Sequence, residues 1–315
     1  MRIALVLGSG GARGWAHIGV IRELERRGHE VVMVSGTSMG ALIGGVYAAG
    51  VLEEVADYAV SLRPADVRRM TDVTLRAPGL IRLRRAMEKL AEFTSDVRIE
   101  DLPIPYVAVA TDINASREVW FRTGPLIKAI RASIAIPAVF TPVTSGERLL
   151  VDGGVLNPLP TGPTRDVEAD LCVGVSLFGR SSPLLRRSHV DESSEDTTSD
   201  DDADSLSERL EASFAETWIG RRLRQALDRE TAPAEPPDLF EDLHSTAGVT
   251  LPDMGMRALD IMQGQIEIAR TAMSAPEVMI RVPMDACHVL EFDRASELID
   301  LGRALAVEAF DSAGV

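Results

Sequence analysis

Lysine is almost missing from this sequence, and aromatic side chains are scarce. Lys89 and Lys128 are the only lysines, aromatic residues make up 4% of the chain, and the formal net charge is −15 at pH 7. Nucleic-acid binding needs positive charge, and binding of single strands also needs aromatic platforms on which bases stack. The composition therefore argues against nucleic acid as a partner. Such an acidic, arginine-rich chain is typical of a salt-adapted cytoplasm, so we expect a halophilic host, although a GC-rich genome also replaces lysine by arginine.

Cysteine and histidine are too few and too scattered for the sites that they usually build. Cys172 and Cys287 lie far apart in apolar, strand-like runs, which favours buried reduced thiols. The five histidines show no His-x-x-x-His spacing and the cysteines no Cys-x-x-Cys spacing, so we expect neither a metal nor a cofactor. Since Met1-Arg2 leads straight into an apolar strand without a signal peptide, we expect a cytoplasmic protein.

The 315 residues are patterned as an α/β protein in which 45% of the side chains are hydrophobic. Short continuous apolar runs, such as residues 3–7, are typical of parallel strands that are buried on both faces. Further strands are predicted at 31–34, 105–113, 119–121, 148–152, 169–177 and 277–282. Helices are predicted at 15–27, from 39, in short pieces within 51–93, and at 126–133, 211–230, 252–273 and 295–310. Because strands lie on both sides of an acidic stretch, we expect one domain with an insertion.

The domain prediction has three parts. Residues 1–179 are predicted to form the α/β core, residues 180–208 an acidic disordered insertion, and residues 209–315 helices, a last strand and a closing helix that complete the same domain. The insertion is predicted because carboxylates cluster among serines and threonines with little apolar material to bury.

A G-x-S-x-G pattern, Gly36-Thr37-Ser38-Met39-Gly40, lies between an apolar strand and a helix of small residues. This context predicts a nucleophile elbow, in which a strained turn exposes the serine at the N-terminus of a helix. Residues 31–52 carry no charge, but the five glycines in this stretch argue against a single membrane-spanning helix. A plain strand-to-helix turn is the remaining alternative.

A second glycine-rich loop, residues 8–14, follows the first strand and offers backbone N–H groups to an anion. A dinucleotide pyrophosphate is one such anion, but Arg13 occupies the place of the third fingerprint glycine. The second strand also lacks an acidic residue at its end, where Ser35-Gly36 stand. The other candidate is the oxyanion of a tetrahedral intermediate, which suits a nucleophile one strand away.

Asp152-Gly153-Gly154 ends another predicted strand. A carboxylate at the mouth of a strand, followed by two glycines, can approach a neighbouring loop closely. The alternative is that Asp152 only begins a turn, as Asp-Gly often does.

An arginine-rich segment, residues 63–85, stands out on this acidic chain. Its arginines alternate with apolar residues, which is compatible with a solvated helix face or with a docking surface for phosphate head groups. The second interpretation predicts transient contact with a membrane surface, on its inner face. The arginines are Arg63, Arg68, Arg69, Arg76, Arg82, Arg84 and Arg85.

These three motifs together resemble the patatin-like phospholipase family, in the microbial branch related to neuropathy target esterase. The resemblance also covers RASIAIPAVFTPV (131–143), LVDGGVLNPLP and the segment LEFDRASELIDLG. It implies a three-layer α/β/α fold and a Ser–Asp dyad in which Ser38 attacks an ester carbonyl and Asp152 takes its proton. It further implies an oxyanion hole formed at Gly10, Gly11, Arg13 and Gly14, with Arg13 adding charge or bracing the loop. Ser9 departs from the family pattern, because many relatives have glycine there.

The implied activity is that of a serine lipid acyl hydrolase, of the phospholipase A or lysophospholipase type, acting on an acyl lipid or phospholipid without a cofactor. Two alternatives are a lipid-binding regulatory protein with incidental turnover and an acyltransferase. A Ser–Asp–His triad is a further alternative for the chemistry, since His189, His244 and His288 follow Asp152 in the chain. His17, on the first helix, is interpreted as structural.

Overall fold

The computed structural model describes residues 1–70, 83–94, 96–180 and 251–315. Nearly all of the acidic insertion, the predicted helix at 211–230, His189 and His244 lie outside the described residues. Eight of the described segments are strands. They are β1 (Arg2–Leu7), β2 (Glu30–Thr37), β3 (Tyr106–Asp112), β4 (Arg117–Phe121), β5 (Val143–Ser145), β6 (Arg148–Asp152), β7 (Leu171–Gly179) and β8 (Val278–Pro283).

Helices flank this sheet, and most have the bounds that the hydrophobic periodicity indicated. They are α1 (Ala16–Arg26), α2 (Met39–Ala48), α3 (Leu52–Ser61), α4 (Pro64–Met70), α5 (Arg84–Thr94), α6 (Leu126–Ser133), α7 (Leu251–Thr271) and α8 (Ala295–Ala313). A short 3-10 helix, Gly11–Trp15, precedes α1, so the predicted first helix begins with a different geometry. In the described part of the chain, no helix is both long and apolar enough to cross a membrane.

The predicted α/β class, a mainly parallel sheet flanked by helices, is confirmed. The strands follow the order β5-β6-β3-β2-β1-β7-β8, with β4 also paired to β3. The central pairs β3–β2, β2–β1, β1–β7 and β7–β8 are parallel, and β1 and β3 are buried nearly throughout because helices cover them. The pairs that involve β4, β5 and β6 are antiparallel.

One edge of β3 is shared by two other strands. β2 runs parallel to the first part of β3 and pairs Thr37 with Val109. β6 runs antiparallel to the last part and pairs Asp152 with Ala110. Both lie on the edge opposite β4, since Ala108–Ala110 pair with β4 as well. The ends of β2 and β6 therefore meet head to head opposite two consecutive residues of β3.

All eight strands belong to one compact unit, which comprises Met1–Glu192 and Met262–Val315. The second unit is Ser193–Ile261, of which residues 251–261 are described as the first part of α7. Cys172 and Cys287 are free thiols; Cys287 is buried and Cys172 is partly buried.

Helices α1 and α8 pack closely because each presents a glycine to the other. A methyl group added at Gly19 would overlap the carbonyl oxygen of Ile299, and one added at Gly302 would overlap that of Ala16. Both obstacles are backbone atoms of a neighbouring helix, so side-chain rotation could not relieve the overlap. The two helices would have to move apart.

We expect Gly302→Ala to lower the free energy of unfolding by about 1–3 kcal/mol, the usual cost of overpacking. The matched control is Gly255→Ala in α7, where an added Cβ meets nothing within 4 Å. That change is expected to stabilise the protein by up to about 1 kcal/mol, because alanine is the better helix former. Urea unfolding measures both. Equal effects of the two substitutions would contradict the close packing of α1 on α8.

Candidate active site

The chain makes a tight turn at Ser38, between β2 and α2, where the nucleophile elbow was predicted. Ser38 has φ 57° and ψ −122°, a backbone conformation that residues other than glycine rarely adopt. A Cβ at Gly36 would overlap the backbone of Gly40, and a Cβ at Gly40 would overlap the carbonyl oxygen of Leu7. The turn is therefore so tight that both flanking positions require glycine.

Ser38 and Asp152 are in direct contact. The Ser38 Oγ donates a hydrogen bond to Oδ2 of Asp152 at 2.5 Å, and Oδ1 of Asp152 accepts one from the Gly154 amide at 2.7 Å. Both residues are buried, with exposed fractions of 4% for Ser38 and 1% for Asp152. Gly153 has no room for a side chain, because a Cβ there would overlap the Val109 carbonyl. The two predicted residues, 114 positions apart, thus meet at one point.

Burial gives this carboxylate the properties of a base. Loss of solvation raises the pKa of Asp152 from 3.8 to about 7, although the hydrogen bonds from Ser38 and Gly154 act in the opposite direction. An ionised carboxylate with a pKa near neutrality accepts a proton far better than an ordinary aspartate.

Ser133, the last residue of α6, holds the backbone of the elbow. Its hydroxyl accepts a hydrogen bond from the Ser38 amide at 2.9 Å and donates one to the Val109 carbonyl at 2.6 Å. Sequence analysis assigned no role to Ser133, although it lies in the segment 131–143 that carries part of the resemblance. The Asp152 amide is held in a similar way, by the Ala135 carbonyl at 2.8 Å.

The glycine-rich loop lies beside the elbow and is tied down on most sides. The amides of Gly8, Ser9 and Ala12 donate to the carbonyls of Val175, Pro158 and Val289, at 2.8–2.9 Å. Gly10 and Gly11 have φ values of 151° and 57°, which favour glycine. Among the described residues, their two amides have no hydrogen-bond partner. Within the described part of the chain, the loop therefore presents two adjacent N–H donors that have no acceptor.

The side chain of Arg13 supports this loop from within the protein. Arg13 is 1% exposed, its Nε donates to the Gly10 carbonyl at 3.0 Å, and its guanidinium lies 5.6 Å from the centre of the Phe178 ring. Gly14 packs against the elbow helix, since a Cβ there would overlap the Met39 side chain. Of the two roles considered for Arg13, this geometry favours bracing.

The described histidines form no contact with the dyad. Nε2 of His17 donates to the Gly8 carbonyl at 2.9 Å, and burial lowers the pKa of His17 to about 4, so the ring is neutral and structural. His288 is exposed, and its Nδ1 faces the Leu290 amide of its own loop.

At the end of β2, where a dinucleotide site would need a carboxylate, the Ser35 hydroxyl donates to the Pro160 carbonyl.

A carboxylate that the sequence did not single out, Glu118 on β4, gathers three segments near the dyad. Its Oε2 accepts hydrogen bonds from Asn157 Nδ2 and Trp120 Nε1, and its Oε1 accepts one from Arg270 Nη2. Arg270 also donates to the Leu156 carbonyl at 3.1 Å. The loop after Asp152 is thus fastened to both β4 and α7. No local pattern around Glu118 reveals this role.

The arginine-rich segment 63–85 is described only in part. Arg63, Arg84 and Arg85 are exposed, and Arg84 forms an ion pair with Glu88 one turn further along α5. Arg76 and Arg82 lie outside the described residues. The predicted membrane-surface contact stays a prediction.

Comparison with known proteins places this geometry in a family. A family model described as patatin-like phospholipase matches residues 5–165, about half of the chain, and includes the glycine-rich loop, the elbow and Asp152. An uncharacterized NTE family protein of Mycobacterium tuberculosis is 41% identical over 99% of this chain and 92% of the relative. Patatin-like phospholipase domain-containing protein 6 of Mus musculus is 34% identical over 56% of this chain and 13% of the mouse protein.

Among solved structures, VipD from Legionella pneumophila matches with a TM-score of 0.47 and 14% identity, over 99% of this chain and 67% of VipD. The sequence relationships alone are sufficient for assignment, since the family model spans the site and the mycobacterial relative aligns over nearly the whole length. The chain therefore belongs to the patatin-like phospholipase family.

Proposed function

We propose that this protein is a serine lipid acyl hydrolase that uses Ser38 and Asp152 as a catalytic dyad. The observation that carries the proposal is the 2.5 Å hydrogen bond between two buried side chains, one on a nucleophile elbow and the other a carboxylate with a raised pKa. A purely structural serine–aspartate pair would not need the strained backbone of Ser38.

In the first half of the reaction, Ser38 Oγ attacks the ester carbonyl carbon while its proton passes to Oδ2 of Asp152. The carbonyl oxygen becomes an oxyanion. The amides of Gly10 and Gly11, which have no partner among the described residues, are the donors proposed to stabilise it. The tetrahedral intermediate then collapses. The alcohol leaves with the proton from Asp152, and an acyl ester on Ser38 remains.

In the second half, Asp152 takes a proton from a water molecule whose oxygen attacks the acyl carbon. The new tetrahedral intermediate expels Ser38 Oγ, which recovers the proton from Asp152, and the carboxylic acid departs. Asp152 thus acts alternately as base and acid in both halves, and a pKa near 7 suits both roles. No step requires a histidine.

The substrate class is proposed from family membership: an acyl lipid or phospholipid, attacked as by phospholipase A or a lysophospholipase. The same residues would support acyl transfer if an alcohol replaced water in the second half. Product analysis with an added alcohol or lysolipid separates the two reactions, because only transfer yields a new ester.

Ser38→Ala and Asp152→Asn are each expected to lower kcat for p-nitrophenyl acyl esters by about 10³-fold or more, since members of a catalytic unit are not replaceable singly. The matched controls are Ser61→Ala and Asp96→Asn, both on the protein surface. Ester hydrolysis and circular dichroism are measured for all four variants. Full activity of Asp152→Asn in a folded protein would contradict the dyad and return attention to a histidine.

A fluorophosphonate probe tests the nucleophile without any assumption about the lipid. A competent Ser38 is expected to form a covalent adduct that peptide mass spectrometry locates, and Ser38→Ala is expected to abolish it. An unaltered protein that binds lipid but does not react with the probe would support the regulatory alternative.

The raised pKa of Asp152 predicts a specific pH–rate profile. The base must be ionised to accept the serine proton, so kcat/KM is expected to rise about tenfold per pH unit below about pH 7 and to level off above it. Initial rates between pH 4.5 and 9 measure this. A plateau that extends below pH 5 would show that Asp152 titrates as an ordinary aspartate.

The same pKa shift predicts that the folded protein loses stability over the pH range in which kcat/KM rises. Asp152 has a pKa of about 7 when folded and 3.8 as the reference, so the unaltered protein loses stability as the pH rises from about 4 to 7. An asparagine side chain cannot ionise, so the Asp152→Asn variant escapes this loss. The free energy of unfolding of Asp152→Asn is therefore expected to exceed that of the unaltered protein by about a few kcal/mol at pH 8 and by little at pH 4. Urea unfolding at both pH values measures it, and a pH-independent difference would contradict it.

A further inference from the structure

Helix α7 lies beyond residues 5–165, which the family model matches, and yet one of its side chains enters the site. Gln263 is 6% exposed, and its Oε1 accepts a hydrogen bond from the Ser9 hydroxyl at 2.7 Å. Ser9 belongs to the glycine-rich loop and is 1% exposed. A hydrogen bond between two buried side chains, 254 residues apart, therefore joins α7 to this loop.

Ser9 directly precedes Gly10 and Gly11, whose amides are the proposed oxyanion donors. Its amide donates to the Pro158 carbonyl at 2.8 Å, so backbone and side chain of this residue are anchored on different segments. Gly10 and Gly11 follow with positive φ values, and neither has room for a side chain, since a Cβ would overlap Leu177 or Val289. Three anchors help to set the direction of their N–H groups: Ser9 before them, Arg13 at the Gly10 carbonyl, and Ala12, bound to Val289, after them.

Gln263 also contacts the segment that carries the aspartate. A Cβ added at Gly154 would lie 2.7 Å from Oε1 of Gln263 and 2.9 Å from Oγ of Ser9, so all three groups are packed together. The Gly154 amide is the one that donates to Oδ1 of Asp152. Gln263 is therefore placed between the oxyanion loop and the backbone support of the catalytic base.

We propose that Gln263 and Ser9 are positioning residues, whose hydrogen bond sets the distance between the Gly10–Gly11 amides and the Ser38–Asp152 dyad. The inference rests on the proposed hydrolase function. Oxyanion donors stabilise the transition state only when they lie about 2.7–3.1 Å from the oxygen that develops charge. Release of this anchor would therefore lower kcat more than it would change KM.

The position of Ser9 gives this proposal its chemical basis. A glycine at residue 9 would leave Oε1 of Gln263 without its hydroxyl donor, so in this chain the serine and the glutamine form a unit. Both partners are buried and uncharged, so the bond is not exposed to competition from water.

The test is a double-mutant cycle with Ser9→Ala and Gln263→Met. Methionine conserves the length of the side chain but removes the acceptor. Gln265→Met is the matched control, because Gln265 is an exposed glutamine on the same helix. For each protein, kcat and KM for a p-nitrophenyl acyl ester, the rate of fluorophosphonate labelling at Ser38 and the thermal midpoint are measured.

Each single variant is expected to lose about tenfold in kcat, with a parallel decrease in labelling rate and less than about twofold change in KM, and the double variant to lose no more than the worse single variant. Gln265→Met is expected to keep the unaltered rates. Losses that multiply in the double variant, or a lower thermal midpoint with kcat unchanged, would overturn the positioning role. If Gln263→Met does not fold, Ser9→Ala decides alone by the division of its effect between kcat and KM.

Failure of the proposed function is recognised separately. An unaltered protein that neither hydrolyses esters nor reacts with the probe would overturn the hydrolase and, with it, the positioning role. An active enzyme whose kcat does not respond to Ser9→Ala or Gln263→Met overturns the positioning role only.

Discussion

The site depends on the edge of β3 that two strands share. β2 brings its last residue opposite Val109 and β6 brings Asp152 opposite Ala110, so serine and aspartate are delivered from opposite directions to neighbouring points. Backbone pairing thus places both residues within hydrogen-bond distance of each other. Ser133 strengthens the same arrangement, since it binds the Ser38 amide and the Val109 carbonyl at once. Preorganisation of this kind spares the reaction a conformational search.

Burial at this junction raises the pKa of Asp152 and lowers the stability of the folded protein. A carboxylate removed from water has a raised pKa, which suits Asp152 to its proposed role as a base and also makes its ionised form unfavourable in the folded chain. The Gly154 amide and the Ser38 hydroxyl compensate for this in part. The strained conformation of Ser38 adds a second local cost. The close packing of α1 on α8, elsewhere in the same unit, stabilises the fold and helps to offset these two unfavourable contributions.

The parts of the site with a local steric signature were predictable from sequence. Ser38 and its flanking glycines were predictable because a tight turn constrains five consecutive residues, and the mainly parallel sheet because continuous apolar runs report burial on both faces. The three-residue strand β5 and the antiparallel direction of β6 were not, since neither length nor burial pattern encodes pairing direction. Glu118, Ser133 and Gln263 act through contacts with distant segments, and a single sequence contains no signal for such contacts.

Because β2 and β6 share one edge of β3, the contact between Ser38 and Asp152 does not depend on the length of the chain that connects β2 to β3. The described residues among 62–104, between α3 and β3, form no strand of the sheet and take no part in the pairing of β2 and β6 with β3. Insertions, deletions or replacements there would leave in place the strand pairing that brings Ser38 and Asp152 together. Such changes can therefore accumulate in evolution while the arrangement of Ser38 and Asp152 is retained.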